Sequence, residues 1–504
     1  MQFSDFRIGL VSFSDPRETS FARQREEYIE RKHNEVVTFL RQRGFAVVDP
    51  LAELRRGWKQ DFGLRKPSEV ERAIKALQDQ EAAGVILGCW HWTEPMLPLS
   101  VVRALRKPAL VYAEDDPTWA GAVCLSAVGA SLWESAANPH CLTHHRLLGD
   151  LDGIVPWARG VAALHNLQRS SLVLWGGSYC LRMEHLQDDI PKLKSFLVGD
   201  ILTEGEYFLI KRAEAILADQ PQRIDRFHQW LREGGTQITY DEKMLTELSH
   251  RKQIALYLAA RDRLSELAEE PIIGASLRCQ HELSVEYGVT GCLIPAFLPF
   301  PEDSEGKREI IATVCEGDIK GLITCALFGR LRPDIPPLFG DLKYVGKDYL
   351  IISNCGGSSV YYAAGSNEPG EVLPRVRLAA QCQGESGGAV GYDGQPGPIT
   401  IGRLVRIQGR YLMQLGLGQS LEITPEVTSK ILWGQTWPHL AISLGVPQDL
   451  LVQVAGSNHY AGIPGDYRAE VEFACREAGI AVLRIDSETE LRAAVREGVA
   501  RLAA

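Results

Sequence analysis

No C-x-x-C pair, no long apolar run and no excess of positive charge occur in this chain of 504 residues, and each absence removes a class of function. Its 11 cysteines are an odd number scattered singly, a pattern of thiols packed as small hydrophobes in a reducing compartment rather than of a disulfide framework. No stretch of 18 or more apolar residues occurs, and the opening MQFSDFRIGLVSFSD has no basic region ahead of a long apolar one. The expectation is neither a signal peptide nor a membrane span. Lysine and arginine number 54 against 64 acidic residues, for a formal net charge of −10. A surface of that sign suits neither nucleic acid nor an anionic membrane, both of which select basic faces. A cytoplasmic chain without nucleic-acid or membrane partners is what remains.

Signatures for phosphate and acyl chemistry are missing as well. The GLG at Gly416 lacks the third glycine of a dinucleotide fingerprint, and no G-x-x-x-x-G-K-[ST] exists, so nothing supports NAD or ATP. Gly176, Gly177, Gly356 and Gly357 read as turn or close-approach positions rather than a phosphate cradle. Ser178 in WGGSY has no second glycine to make a nucleophile elbow. The cluster PHCLTHHR, with His140, Cys141, His144 and His145, lacks the spacing that sets ligands on one face, and reads as a polar loop. There is no internal repeat and no low-complexity linker.

What is present is alternation. RIGLVSF, FAVVDP, GVILGCW and PALVYA are apolar strands, separated by amphipathic stretches over 18–43, 67–83 and 101–106 and followed by an alanine-rich helix over 118–137. That rhythm predicts βαβ units around a mostly parallel sheet. The loop-like NPHCLTHHR follows, and the pattern restarts at SLVLWGGS. The predicted boundary near residue 168 gives a first α/β domain over 1–168 and a second over 169–332. Beyond 333 the texture changes: PITIGRLVRIQGRYLMQLGLGQSLEI reads as several short strands with glycine turns, more antiparallel barrel or sandwich than βαβ. The fold class is therefore α/β, two Rossmann-like domains followed by a C-terminal domain over 333–504 with an antiparallel β barrel and flanking helices.

Three short segments carry the chemistry: VCEGDIKG around Glu316, LFGDLKY around Asp341 and AGSNHYAGIPGD around His459. Each follows an apolar run that reads as a buried strand and sits beside glycines, and reactive groups at the ends of such strands converge on one crevice in open α/β sheets. Glu316 stands at a strand-to-helix turn. Two carboxylates and an imidazole can hold a divalent ion and move a proton, and the same three residues are equally read as two solvated acids and a core histidine.

In order along the chain, CWHWTEP from Cys89, LWGGSY from Leu174, IATVCEGDIKG, LFGDLK, LIISNCGGS from Leu350, GQTWP from Gly434 and GSNHYAGIPGD resemble successive landmarks of the L-fucose isomerase family, with L-arabinose isomerases as more distant relatives. The resemblance runs from Asp15-Pro16-Arg17 to about Gly465. It implies a metal-dependent ketol isomerase that interconverts aldoses and ketoses through an enediolate. It also implies that Glu316, Asp341 and His459 hold a manganese-type ion, and that Glu316 and Asp341 form the acid/base pair. A hard, oxygen-rich set with one imidazole suits Mn²⁺ or Mg²⁺, with Co²⁺ as a further candidate, and Cys315 and Cys355 are expected to pack away from it. Asn354, Trp437 and Asn458 become candidate sugar contacts, with Asp318 and Ser457 in support. By the same resemblance, Arg17 and Trp90 reach the substrate from a neighbouring subunit of a homohexamer.

The chain departs from the family where sugar carbons far from the metal are read: TGCLIPAFLPFPEDSE offers no match to its glutamine-bearing segment, and QCQGESGG around Glu385 replaces a tyrosine. The reaction class is thus better specified than the sugar. Two other readings stay open, a non-catalytic sugar-binding protein on the same scaffold and a metal-dependent epimerase or dehydratase built on the same enediolate.

Overall fold

The computed structural model describes residues 7–17, 19–54, 61–135, 144–383, 386–429 and 431–502. His140, Cys141 and Glu385 lie outside them. The chain divides into two compact units, one of Met1–His165 with Ala469–Gly479, the other of Asn166–Arg468 with Ile480–Ala504.

In the first unit five strands, β1 (Arg7–Ser12), β2 (Ala46–Val48), β3 (Gly84–Gly88), β4 (Ala109–Ala113) and β5 (His144–Leu148), form one sheet in the order β2-β1-β3-β4-β5. Every pairing is parallel. GVILG and ALVYA are buried along their whole length, because helices pack on both faces and leave no position for a polar residue. The helix Ala22–Gln42 turns Ile29, Val36 and Leu40 to one of these faces. The segment Ala469–Gly479 returns to this unit, with Phe473 edge-on to His145 at 4.9 Å. The sequence assigned NPHCLTHHR to a loop, yet its end is strand β5. His144 and His145 are half-buried there, and burial pushes both below the usual imidazole range, His144 to about 4.

The second unit begins with another parallel sheet, of β6 (Ser171–Trp175), β7 (Asp200–Glu204), β8 (Ile272–Leu277) and β9 (Ala312–Cys315), in the order β9-β8-β6-β7. After β9 comes the helix Ile319–Leu331, buried at every residue, as an all-round apolar helix must be.

A seven-stranded sheet follows, built from β10 (Leu338–Val345), β11 (Leu350–Ser353), β12 (Gly397–Ile407), β13 (Arg410–Leu421), β14 (His439–Ser443), β15 (His459–Pro464) and β16 (Ala481–Arg484). Its order is β12-β15-β10-β11-β14-β13-β16, with a further pairing of β12 to β13. Six strands therefore pair antiparallel in a ring, while β16 joins β13 in parallel, so the sheet is mixed and not wholly antiparallel as expected. PITIGRLVRIQGRYLMQLGLGQSLEI is not several short strands either. It is one long hairpin of an 11-residue and a 12-residue strand, turning at Gln408-Gly409, both left-handed, the backbone that a two-residue hairpin selects. Gly416, which reads as a turn, lies mid-strand, where a Cβ would come within 2.8 Å of Ile485.

On the helix Glu247–Glu266, His250 is buried with its Nδ1 3.0 Å from the Tyr240 hydroxyl and its ring 5.3 Å from that of His228. Burial, with His228 beside it, pushes His250 down to about 3. An unfolded histidine takes its proton near 6.5, so between about 3 and 6.5 the unfolded chain binds more protons than the folded one and stability falls as pH drops. From pH 7 to 5 this one group is expected to remove about 1 to 2 kcal/mol. Urea midpoints of the native chain and of His250→Gln at both pH values check it, the variant losing less.

Candidate active site

Glu316 is the first residue past β9, at the carboxyl edge of the parallel sheet. It adopts φ +64° and Gly317 follows at +65°. The left-handed conformation costs a side-chain-bearing residue roughly 1 to 2 kcal/mol and persists where the surroundings hold it. They do here: a Cβ on Gly317 would lie 2.7 Å from Tyr179 N and 2.8 Å from Gly177 O, so only glycine lets the 176–179 loop close on this turn. The turn leaves Asp318 as N-cap of the helix Ile319–Leu331, its Oδ1 accepting from Gly321 N at 2.9 Å.

Asp341 lies on β10, opposed to His459 on β15 and to Ser353 on β11. Opposed residues of antiparallel strands share a face. His459 Nε2 accordingly stands 3.3 Å from Asp341 Oδ1 and 3.2 Å from Glu316 Oε2. The three groups meet although Glu316 arrives from a different sheet.

The imidazole is fixed from behind. Its Nδ1 is 2.8 Å from Asp318 Oδ2, and Asp318 is ion-paired with Arg403 of β12; Arg403, Asp318 and His459 are all fully buried. Burial alone would raise the Asp318 carboxyl, but the Arg403 charge and His459 overrule it and hold the group far below the ordinary carboxylate range. Burial would likewise lower His459, and the Asp341, Asp318 and Glu316 carboxylates reverse this, holding it well above its usual value.

These contacts test whether the residues fit a metal ion. His459 Nε2 is buried, faces two carboxylate oxygens and makes a well-directed hydrogen bond to neither. A nitrogen so placed is balanced by its own proton or by a cation held between it and the two carboxylates. Adjacent ligands on a divalent ion with bonds of about 2.1 to 2.2 Å stand roughly 3 Å apart, close to the separations observed. A histidine whose second nitrogen is tied to a carboxylate is also the arrangement that orients metal-bound imidazoles. Glu316, Asp341 and His459 therefore fit a hard divalent ion.

The two cysteines do not pack away. Cys355 Sγ donates to Glu316 Oε1 at 3.4 Å and lies 4.0 Å from Cys315 Sγ, so Cys315, Glu316 and Cys355 themselves form a group that could hold an ion. The hydrogen bond with Cys315, together with burial, holds the Cys355 thiol far above its ordinary range. A neutral thiol is a hydrogen-bond donor and a poor ligand. Cys355 steadies one oxygen of Glu316 and leaves the other for His459.

The remaining candidates are placed as follows. Asn458 donates to Asp341 Oδ1 at 2.7 Å and its own Oδ1 lies 2.9 Å from His185 Nε2. Asn354 is buried with its amide against Cys315 Sγ at 3.3 Å. Ser457 Oγ accepts from His459 N. Trp437 is buried, its indole N–H donated to Gln381 O, and the Lys343 ammonium sits 4.6 Å from its ring. Arg17 and Trp90 belong to the first unit: Arg17 is exposed and forks onto Asp15, while Trp90 is fully buried and donates to Ser12 Oγ. Sequence reasoning missed Cys355, His185, Lys343 and Arg403. Lys343 has a signal, two positions after Asp341 on one strand; Arg403 has none.

Comparison with known proteins places residues 352–486 under the model of the L-fucose isomerase C-terminal domain. That stretch contains His459, while Glu316 and Asp341 precede it. A sulfoquinovose isomerase of Alkalicoccus urumqiensis is 22% identical over 231 residues, covering 44% of this chain and 46% of the relative. The chain thus spans less than half the length of this relative.

The Arg403–Asp318 pair is expected to be strongly coupled. Asp318→Asn leaves a buried guanidinium without its counter-charge, at about 3 to 5 kcal/mol of stability, and Asp318→Asn with Arg403→Met recovers most of the loss. Urea denaturation of both variants measures the difference.

Proposed function

We propose that this L-fucose isomerase-like chain is a metal-dependent sugar isomerase, a ketol isomerase that interconverts an aldose and a ketose. One observation carries the reading: a buried imidazole, locked by Asp318, turns an unsatisfied nitrogen toward Glu316 and Asp341. Sugar binding alone requires no such set. The relative's name specifies a sulfonated hexose as its substrate, and this supports an aldose as the substrate class here.

A divalent ion, Mn²⁺ by preference and otherwise Mg²⁺ or Co²⁺, would be held by Glu316, Asp341 and His459 and would offset the negative charge that develops on the first two sugar oxygens. The chain's own residues do the rest. A carboxylate removes a proton from one carbon and a carboxyl returns one to its neighbour, a transfer that typically contributes about 10² to 10⁴-fold. Glu316 and Asp341 are the groups positioned for it. Glu316 is 5% exposed, and Cys355 holds the oxygen it does not present to His459. Asn458 holds Asp341 in the same way.

The partners and setting follow the same reading. The small-molecule sugar is met in a homohexamer, with the exposed Arg17 facing a neighbour's site; Trp90, fully buried and donating to Ser12 Oγ, supports that edge from within instead of facing the neighbour as expected. The ten cysteines among the described residues are all unpaired, which supports the cytoplasm. No helix among the described residues is long and apolar enough to cross a membrane.

Chelator treatment is expected to abolish aldose-ketose conversion and Mn²⁺ to restore it, with Zn²⁺ restoring little. Glu316→Gln and Asp341→Asn are each expected to lower kcat about 10²-fold or more. Product analysis in deuterated water, with label appearing at the carbon next to the carbonyl, checks the reaction class. Full turnover after exhaustive metal removal, or product without exchange into a sugar carbon, would overturn it.

A further inference from the structure

A polar row continues from the site across one face of the seven-stranded sheet. His459, Asp341, Ser353 and His439 are directly opposed on β15, β10, β11 and β14. The first two belong to the centre described above. Ser353 and His439 do not, yet they are 2% and 1% exposed, and Ser353 Oγ and His439 Nδ1 have no hydrogen-bond partner among the described residues. Buried polar atoms left in this state are costly unless a ligand or water meets them.

Lys343, two residues past Asp341, reaches the end of this row. Its Nζ is 3.2 Å from His439 Nε2 and 3.1 Å from Gly434 O. An ammonium only donates, so His439 Nε2 accepts and the neutral ring carries its proton on Nδ1, the unpartnered atom. The ammonium has three donors and only these two partners, both neutral, among the described residues. No carboxylate there forms an ion pair with it: the Asp341 charge acts on it without a contact, and Asp393, near His439, is already engaged by Arg377 at 3.2 Å. The result is a half-buried cation beside two idle hydrogen-bond donors, Ser353 Oγ and His439 Nδ1, with the Trp437 ring 4.6 Å from the charge. The pairing of β10 with β11 slips between Leu342 and Tyr344, and the Lys343 ammonium reaches His439, two strands across from Asp341, roughly 10 Å at about 4.8 Å per strand, comparable to the span from the first carbons of a six-carbon sugar to a charged group at its far end.

Resting on the isomerase reading above, we propose that Lys343, His439 and Ser353 form a subsite for the far end of the sugar, and that the substrate carries an anionic group there. A terminal sulfonate, phosphate or carboxylate presents the same chemistry, oxygens that accept from an ammonium and from neutral donors.

Steady-state kinetics of the metal-loaded enzyme on one aldohexose, its 6-phosphate, its 6-sulfonate analogue and its uronate distinguish these sources. At least one anionic sugar is expected to show kcat/KM about 100-fold above the neutral parent, the scale of a lost charge-assisted hydrogen bond. Lys343→Met is expected to raise KM for the anionic sugar at least about tenfold more than for the neutral one, while Lys343→Arg retains most of the anionic preference. Raising ionic strength should raise KM for the anionic sugar alone in the unmutated enzyme, a readout that needs no variant to fold. A neutral sugar used as well as every anionic one, or equal loss on both with Lys343→Met, overturns the subsite and leaves the isomerase reading standing. If no aldose is converted, the isomerase reading fails, and calorimetry of the three anionic sugars still decides: binding abolished by Lys343→Met keeps the subsite, and no binding removes it.

Discussion

The ion pair of Arg403 with Asp318, together with the hydrogen bond that His459 donates to Asp318, is the constraint on which the rest of the site depends. All three side chains are fully buried. Charges in that setting cost several kcal/mol each to desolvate and persist only when fully paired. Asp318 meets the demand with both oxygens: one caps the helix that follows Glu316, and the other takes Arg403 and His459. One carboxylate thereby ties the turn after β9, strand β12 and strand β15 together. If it moved, the helix start, the arginine and the imidazole would lose a partner at once.

That tie explains how a residue from a parallel sheet and two residues from a mixed sheet come to share one sphere. The strand pairing places Asp341 opposite His459, which costs nothing beyond the sheet itself. Glu316 arrives at the end of a fully buried strand, on a left-handed turn that only Gly317 permits beside the 176–179 loop. The strain of that turn is borne by the surrounding packing, and it directs the carboxylate toward the imidazole rather than along the strand.

Much of this was legible in the sequence because the signals were local. Buried runs ending in glycine and a charged residue mark the carboxyl edges of strands, and Glu316 stands in such a place; Asp341 instead lies mid-strand on β10, and His459 opens β15 after DLLVQVAG, which is the helix Asp449–Val454 and not the buried strand expected. The first sheet was legible for the same reason, since apolar strands alternate with amphipathic stretches. The rest depends on contacts between residues far apart. Gly416 looks like a turn until Ile485, 69 positions on by number (485 − 416), is known to pack against it. Arg403 looks like one more charged residue in a β-run until Asp318 is found beside it. Cys355 was expected to avoid the carboxylates because thiolates favour softer ions, an inference that holds for the ionised form only.

The thiols show how protonation state, more than residue type, decides what a site selects. Cys315 and Cys355 share a hydrogen bond in a buried pocket, and each thiol's ionisation would place a second negative charge beside Glu316. The hydrogen bond with Cys315 and burial keep Cys355 protonated, with the Glu316 charge adding to them, and the protonated thiol in turn steadies the carboxylate. A zinc-favouring sulfur ligand and an oxygen ligand compete for the same space, and the neutral state of the buried thiol settles the competition for oxygen. The same logic runs the other way at Lys343, where among the described residues no carboxylate is in ion-pair contact and donors are idle. Negative charge is concentrated around His459, and a positive charge out of ion-pair contact lies a short distance across the same face of the sheet, so the two ends of one bound molecule would meet opposite fields.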